Sequence, residues 1–247
     1  MHNHYLFGPF YRKYTQGVPV TDNIYADPLF AKFYNKTIDY GSQFSDIDFY
    51  RKCLKQEDTI LEIGTGNGRV FNVLINENFN IYGIEPEIEM IQYIDEQYQD
   101  RIFITGIEHL SCLNGMKFSK VLIPATTISL FPKEVISLFF KEMKSYLTFD
   151  GKIIFDIIKP EFGKQTSNQI QTIKTDEGTF FLGNTIIDQY YVLNIYTKQQ
   201  QTEKIGYSKK YLHTSGYFQE LANELNYKFN IIQSTNTYQF LEMTNID

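Results

Sequence analysis

Three glycines and two glutamates carry the most legible chemistry in this 247-residue chain. In Asp58-Thr-Ile-Leu-Glu-Ile-Gly-Thr-Gly-Asn-Gly-Arg69, a short apolar run (Ile60, Leu61, Ile63) leads straight into Gly64, Gly66 and Gly68. Such a run fits a parallel strand covered on both faces, and glycines directly after it let the backbone approach a ligand closely. Twenty-one positions after Gly64 a second apolar run, Ile81-Tyr-Gly-Ile84, ends in Glu85. A carboxylate at a strand tip can accept two hydrogen bonds from the vicinal hydroxyls of a ribose, so the pair of motifs points to a nucleotide-type cofactor. The dinucleotide pattern separates its last two glycines by two residues, whereas here one residue intervenes, which argues against a nicotinamide enzyme.

The surrounding pattern supplies a scaffold for these residues. Strands are expected at Thr59–Ile63, Asn80–Glu85, Ile102–Thr105, Lys120–Ile123 and Lys152–Ile157, with helices at Val70–Ile75, Ile88–Tyr98 and Pro132–Leu147 between them. That alternation predicts a parallel sheet with helices on both faces, closed by a turn at Asp150-Gly151 before the fifth strand. Residues 1–50 hold 13 of the 40 Phe and Tyr residues and predict one or two helices, over Phe30–Tyr34 and Phe44–Leu54. Their rings either pack on the sheet or close over a ligand. From Gln169 to His213 the Thr-, Ile- and Tyr-rich texture predicts an antiparallel meander, with turns at Asp176–Gly178, Gly183-Asn184 and Lys198–Gln201. A helix over Gly216–Leu225 and strands at Tyr227–Thr235 and Tyr238–Met243 end the chain. The expected division is a helical lid (1–52), a cofactor-binding core (53–160), an antiparallel insertion (161–213) and a final helix with a terminal hairpin (214–247).

Composition narrows the partners. The net charge of −6 and the lack of Lys/Arg runs weigh against nucleic acid, and no apolar stretch approaches the roughly 20 residues needed to cross a bilayer. Cys53 and Cys112 show no pairing signal and the start resembles no secretion signal, which fits a reducing cytoplasm. His2, His4, His109 and His213 are too scattered for a metal site, so no metal is expected.

Beyond the glycine turn, the stretch from about Phe49 to Pro160 resembles the class I S-adenosylmethionine-dependent methyltransferases, and most nearly their small-molecule members. Leu61-Glu-Ile-Gly-Thr-Gly-Asn-Gly-Arg69 is similar to their first motif, and Ile81-Tyr-Gly-Ile-Glu-Pro-Glu-Ile-Glu-Met90 to their second. Lys120–Phe131 corresponds to the fourth strand with its active-site loop, and Phe149–Asp156 to the turn and strand that follow. The resemblance implies a Rossmann-like α/β fold with a seven-stranded sheet, and S-adenosyl-L-methionine as cofactor.

By the same resemblance, Gly64, Thr65 and Gly66 face the methionine part of the cofactor and Glu85 holds the ribose, with Pro86 and Met90 beside it. Glu62 supports the loop, and the Ala125 carbonyl meets the cofactor amine. Relatives often carry Gly-Asp after the third strand; Gly106-Ile107-Glu108 stands here, so Ile107 packs on the adenine or Glu108 replaces the missing acid. Pro124-Ala-Thr-Thr127 lacks the Asn-Pro-Pro-Tyr pattern of enzymes that methylate base or glutamine amino groups, which subtracts those substrates. Tyr14 is expected to cover the cofactor, and Tyr11, Tyr25, Thr126 and Thr127 to line the acceptor site. Arg69 reads as a surface or helix-start residue in preference to an electrostatic partner of nearby acids. Methyl transfer demands alignment and exclusion of water, and a base only for some acceptors, for which His213 is the candidate. The expected reaction is N- or O-methylation of a small metabolite, in specialised biosynthesis, with a homodimer left open. A methyltransferase of RNA or protein, or a scaffold that binds without turnover, are the alternatives.

Overall fold

The computed structural model describes residues 2–37, 46–165, 167–199 and 202–246. Along the chain these form α1 (Gly8–Thr15), β1 (Val20–Thr21), α2 (Pro28–Thr37), α3 (Asp46–Lys52), β2 (Thr59–Ile63), α4 (Phe71–Asn76), β3 (Asn80–Ile84), α5 (Ile88–Ile91) and β4 (Ile102–Phe103). There follow β5 (Phe118–Ile123), α6 (Lys133–Met143), β6 (Leu147–Ile158), α7 (Pro160–Gln165), β7 (Ile170–Thr175), β8 (Gly178–Ile187), β9 (Tyr190–Gln199) and β10 (Thr202–Tyr211). The chain closes with α8 (Ser215–Glu224), β11 (Tyr227–Ser234) and β12 (Tyr238–Asn245).

Seven strands form the main sheet in the order β11-β12-β6-β5-β2-β3-β4. The five from β6 to β4 run parallel, and β12 and β11 add an antiparallel hairpin at one edge. Side chains alternate across each strand, so consecutive apolar residues feed two separate cores. Ile60, Ile81, Leu122, Ile154 and Phe240 pack under α3 and α4 with Phe49, Tyr50, Phe71 and Leu74. Leu61, Ile63, Val121, Ile123 and Phe155 pack on the other face with Phe139 and Phe140 of α6 and Phe218 of α8. This double burial is why β2 and β5 read as continuous apolar runs.

A second sheet, β1-β10-β9-β8-β7, is antiparallel except for β1, which lies parallel to β10 at its edge. The N-terminal segment wraps this edge. On the far face, Leu6 and Phe10 at α1 join Tyr196, Ile205 and Tyr207. On the near face, Ile24 and Phe30 and Phe33 of α2 join Phe180 and Ile195, with Phe33 stacked on Phe180 at a ring separation of 4.1 Å.

Three expectations change. The Gly183-Asn184 turn is absent: both residues lie inside β8, and Gly183 is small because the Phe7 and Phe10 rings fill the space a Cβ would need. The reversal occurs instead between β8 and β9 at Asp188-Gln189, with Asp188 left-handed at φ 53°. The helix expected to reach Tyr98 stops after Ile91, where Asn72 Nδ2 donates to the Tyr93 carbonyl and a short 3-10 turn, Glu96–Arg101, takes over. Asp150-Gly151 does not separate α6 from its strand but forms an irregularity within β6, with Asp150 at φ 57°. Phe44, where one helix was expected to begin, and Gln200 and Gln201 of the Lys198–Gln201 turn lie outside the described residues.

Candidate functional site

Strand order reverses between the parallel neighbours β5 and β2, with β3 and β4 added on one side and β6 on the other, and this is the switch point where open α/β sheets bind ligands beyond their strand ends. A cavity of about 600 Å³ opens there, lined by the turn after β2, the loops after β3, β4 and β5, and the near face of the second sheet. Gly64 and Thr65 both donate their amides to the Ile84 carbonyl, at 2.8 and 3.1 Å, which ties the turn to β3. Gly64 is left-handed at φ 69°, and a Cβ there would collide with the Thr127 methyl, so only glycine suits the position.

Glu85 sits at the tip of β3 and is buried against this turn. Its Oε2 accepts from the Gly66 amide at 2.8 Å and its Oε1 from the Glu87 amide at 2.9 Å. Burial pushes its carboxyl above the ordinary value, and the two amides pull it back. Each oxygen retains a lone pair for a ligand on the cavity side. Glu62, one residue before the end of β2, is 2% exposed, and its Oε2 has no hydrogen-bond partner among the described residues. Burial pushes that carboxyl well up, against the pull of Arg69. An orphaned oxygen in the wall of a cavity is a strong sign of a polar ligand group.

A second cavity, about 540 Å³, adjoins the first and shares Tyr25, Tyr34, Arg69, Ala125, Ser208 and Lys210 with it. Its floor is Asp156 in β6, whose Oδ1 accepts from the Tyr50 hydroxyl at 2.6 Å and whose Oδ2 accepts from the Thr126 amide at 2.9 Å. Ala125 and Thr126 are both left-handed, at φ 56° and 57°, a conformation that costs a residue with a Cβ about 1–2 kcal/mol. Lys210 in β10 helps hold that turn by donating to the Ala125 carbonyl at 2.8 Å and to Thr126 Oγ1 at 2.6 Å. Consecutive strained residues held by this many contacts are characteristic of functional sites. Removing one contact with Tyr50→Phe should cost about 1–3 kcal/mol, because it strands a buried carboxylate oxygen. Urea denaturation would read that loss, and an unchanged midpoint would count against the bond.

Burial pushes the Asp156 carboxyl from 3.8 up to about 6, with the Tyr50 bond opposing. The folded chain therefore holds this proton more tightly than the unfolded one. The resulting stabilisation is complete below about pH 4 and is withdrawn as pH rises through about 6. Relative to Asp156→Asn, the wild type should lose about 3 kcal/mol of stability between those limits, measured by denaturant midpoints near pH 4 and pH 7. A constant difference across that range would rule the shift out.

Glu62, Gly64, Thr65, Gly66, Glu85, Pro86, Met90, Ile107, Glu108 and Ala125 all border the first cavity, as do Tyr25 and Thr127; Thr126 borders the second. Three expected site residues fall elsewhere. Tyr11 and Tyr14 belong to α1, on the far face of the second sheet, where Tyr14 packs against the Leu6–Phe10 cluster. They are held there because the chain passes the sheet edge at β1 before Asn23 and Tyr25 reach the near face. His213 borders neither cavity. It is 3% exposed, with Nε2 2.9 Å from the Phe131 carbonyl and its ring stacked on Tyr211, and burial lowers its pKa. That geometry makes it a packed structural histidine, with Nε2 assigned as the protonated nitrogen.

Sequence reasoning missed Lys210, Asp156 and Tyr34 as wall residues, and Tyr50 as the buried partner of Asp156. It also favoured the helix-start reading of Arg69. Arg69 instead forms a two-pronged pair with Asp46, at 2.5 and 2.6 Å, between the cavities. Asn35 in α2 accepts from Asn67 Nδ2 at 2.8 Å, and Asn23 Nδ2 donates to Glu87 Oε1 at 2.7 Å, so the N-terminal segment is pinned to the glycine turn and to the Glu85 loop. The described residues contain no cluster of three or more His, Cys, Asp or Glu able to hold a metal, and no helix long and apolar enough to cross a membrane.

Strand order, the hairpin edge and the placement of the glycine turn define the class I methyltransferase fold, and this chain has that fold. It is similar to the CcbJ methyltransferase of Streptomyces caelestis, with 13% identity, a TM-score of 0.71, and coverage of 92% of this chain and 100% of that one. An S-adenosylmethionine-dependent methyltransferase from Clostridium acetobutylicum aligns with 16% identity and a TM-score of 0.67 over 87% of this chain and 97% of its own. CalS10, an amino pentose methyltransferase of calicheamicin biosynthesis from Micromonospora echinaspora, aligns with 12% identity and a TM-score of 0.66, over 86% and 96% of the two chains. No protein-family model and no curated protein matches this sequence.

Proposed function

We propose that this chain is an S-adenosylmethionine-dependent methyltransferase that transfers a methyl group to N or O of a small metabolite, in the cytoplasm and in specialised biosynthesis. The observation that carries the reading is the Glu85 carboxylate, fastened by the glycine turn's own amide and facing a cavity of nucleoside size. The residues present suit the cofactor. Glu85 would accept from the ribose hydroxyls, and Met90 and Ile107 offer apolar surface to the adenine, with Glu108 at the same wall. Glu62, with its unpartnered oxygen, would meet the cationic amine end. Bound there, the cofactor supplies an electrophilic methyl group on a positively charged sulfur.

The remaining work falls to the protein. The second cavity would receive the acceptor, and Tyr25 and Tyr34 at the junction would exclude water from the line of transfer. Residues 1–52 and 161–213 would form the acceptor side, and residues 53–160 with 214–247 the cofactor side. The amino pentose specificity of CalS10 favours a small acceptor by analogy of fold. Native mass spectrometry with S-adenosylmethionine, S-adenosylhomocysteine and NAD is expected to show the two sulfur compounds bound and NAD not. Labelled methyl should then appear in a metabolite extract. Failure of both sulfur compounds to bind would refute the reading, and binding with no transfer would favour a scaffold without turnover.

A further inference from the structure

Lys210 occupies an unusual position. It projects from the near face of β10 at the junction of the two cavities, and its contacts are to oxygens that carry no full charge, the Ala125 carbonyl and Thr126 Oγ1. The other cation lining both cavities, Arg69, is locked to Asp46 and stays charged: burial works against its charge, but Asp46 more than offsets it. Among the described residues Lys210 has no such lock. Burial lowers its pKa to about 8, and Asp156 opposes that fall.

Several other titratable groups surround it. Asp156 of β6 faces it across the Ala125-Thr126 turn, and the Tyr50 hydroxyl of α3 bonds that carboxylate. Glu62 and Glu85 line the first cavity, and Tyr191 of β9 and Tyr238 of β12 line the second. From the N-terminal segment come Tyr25 and Tyr34, whose hydroxyls burial holds protonated.

Resting on the methyltransferase reading above, we propose that Lys210 gives up its proton when the cofactor enters and then serves as the catalytic proton acceptor for the incoming nucleophile. A positively charged sulfur entering this buried junction disfavours a second positive charge nearby, so the ammonium discharges to solvent. The neutral amine then faces the acceptor chamber. In the transfer, the acceptor's lone pair forms the bond to the methyl carbon, and the carbon–sulfur bond breaks with its electrons remaining on sulfur. The acceptor's proton passes to Lys210 Nζ, which becomes an ammonium again. Loss of the positive charge on sulfur thus coincides with its return to lysine, and the net charge of the junction is conserved.

Calorimetric titration in buffers of different ionisation heat tests this without any acceptor. At about pH 7.5, S-adenosylmethionine should release roughly half a proton per molecule bound, given a pKa that starts at about 8 and falls by a unit or more. S-adenosylhomocysteine, whose sulfur is neutral, should release clearly less. Lys210→Met should bind both compounds and lose the difference; Lys210→Gln, which keeps a donor for the Ala125 carbonyl, serves if the methionine variant does not fold. Equal release by the two compounds, or release that persists in the variants and so belongs to Glu62 or Asp156, would overturn the assignment. Failure of both compounds to bind the wild type would strike the methyltransferase reading itself.

Discussion

Glu85→Ala is expected to weaken S-adenosylmethionine and S-adenosylhomocysteine alike by at least 100-fold. Two hydrogen bonds from ribose hydroxyls to a charged carboxylate contribute about 1.5–3 kcal/mol each, so losing both amounts to about 3 kcal/mol or more. The same substitution removes the acceptor for the Gly66 and Glu87 amides, which loosens the glycine turn at the point where it must stay close to its ligand. The equality of the two effects is diagnostic, because the compounds share the ribose and differ only at sulfur. Isothermal titration of both compounds reads it directly. An affinity within threefold of the wild type would mean that Glu85 holds the turn and nothing else.

Asp46→Ala should destabilise the fold by about 3 kcal/mol, toward the low end of the range for breaking a buried ion pair, since both side chains keep some solvent contact, at 15% and 18% exposure. For a chain of this length that corresponds to a fall in Tm of roughly 6–12 °C. The cost arises less from the lost attraction than from the Arg69 guanidinium left without a counter-charge between two cavities. The double variant Asp46→Ala/Arg69→Met should therefore recover much of the loss, since an apolar side chain there demands no partner. If the single variant melts within a degree of the wild type, or the double variant is worse, the pair is not structural.

Local signals made the first cavity of this protein legible. The β2 strand ran from Thr59 to Ile63 as the apolar run predicted, and the glycines and Glu85 came together because each ends a strand of one parallel sheet. The second cavity is a product of tertiary pairing. Asp156 meets Tyr50 across 106 residues and Lys210 meets Ala125 across 85, and no spacing rule marks such partners. The aromatic excess of the first fifty residues was visible, yet which rings face the site depends on where the chain crosses the edge of the second sheet. Tyr25 and Tyr34 lie beyond that crossing and Tyr11 and Tyr14 before it. His213 was singled out for its chemistry alone, and the carbonyl that claims its nitrogen belongs to Phe131, 82 residues away. Gly183 misled for a related reason: its lack of a side chain serves the rings above it and not a reversal of the chain.

The parallel pairing of Val20 and Thr21 with Ile205 and Gly206 is only two residues long, yet it interrupts the outer edge of β10 near its middle. A deletion that removed everything before Asp22 would free that edge from its pairing with β1 and, beside it, uncover Ile205 and Tyr207. A long unprotected border of that kind recruits strands from other molecules. Shortened versions of this chain would consequently precipitate or form fibrils for a reason unrelated to catalysis, and their poor yield would carry no information about the reaction.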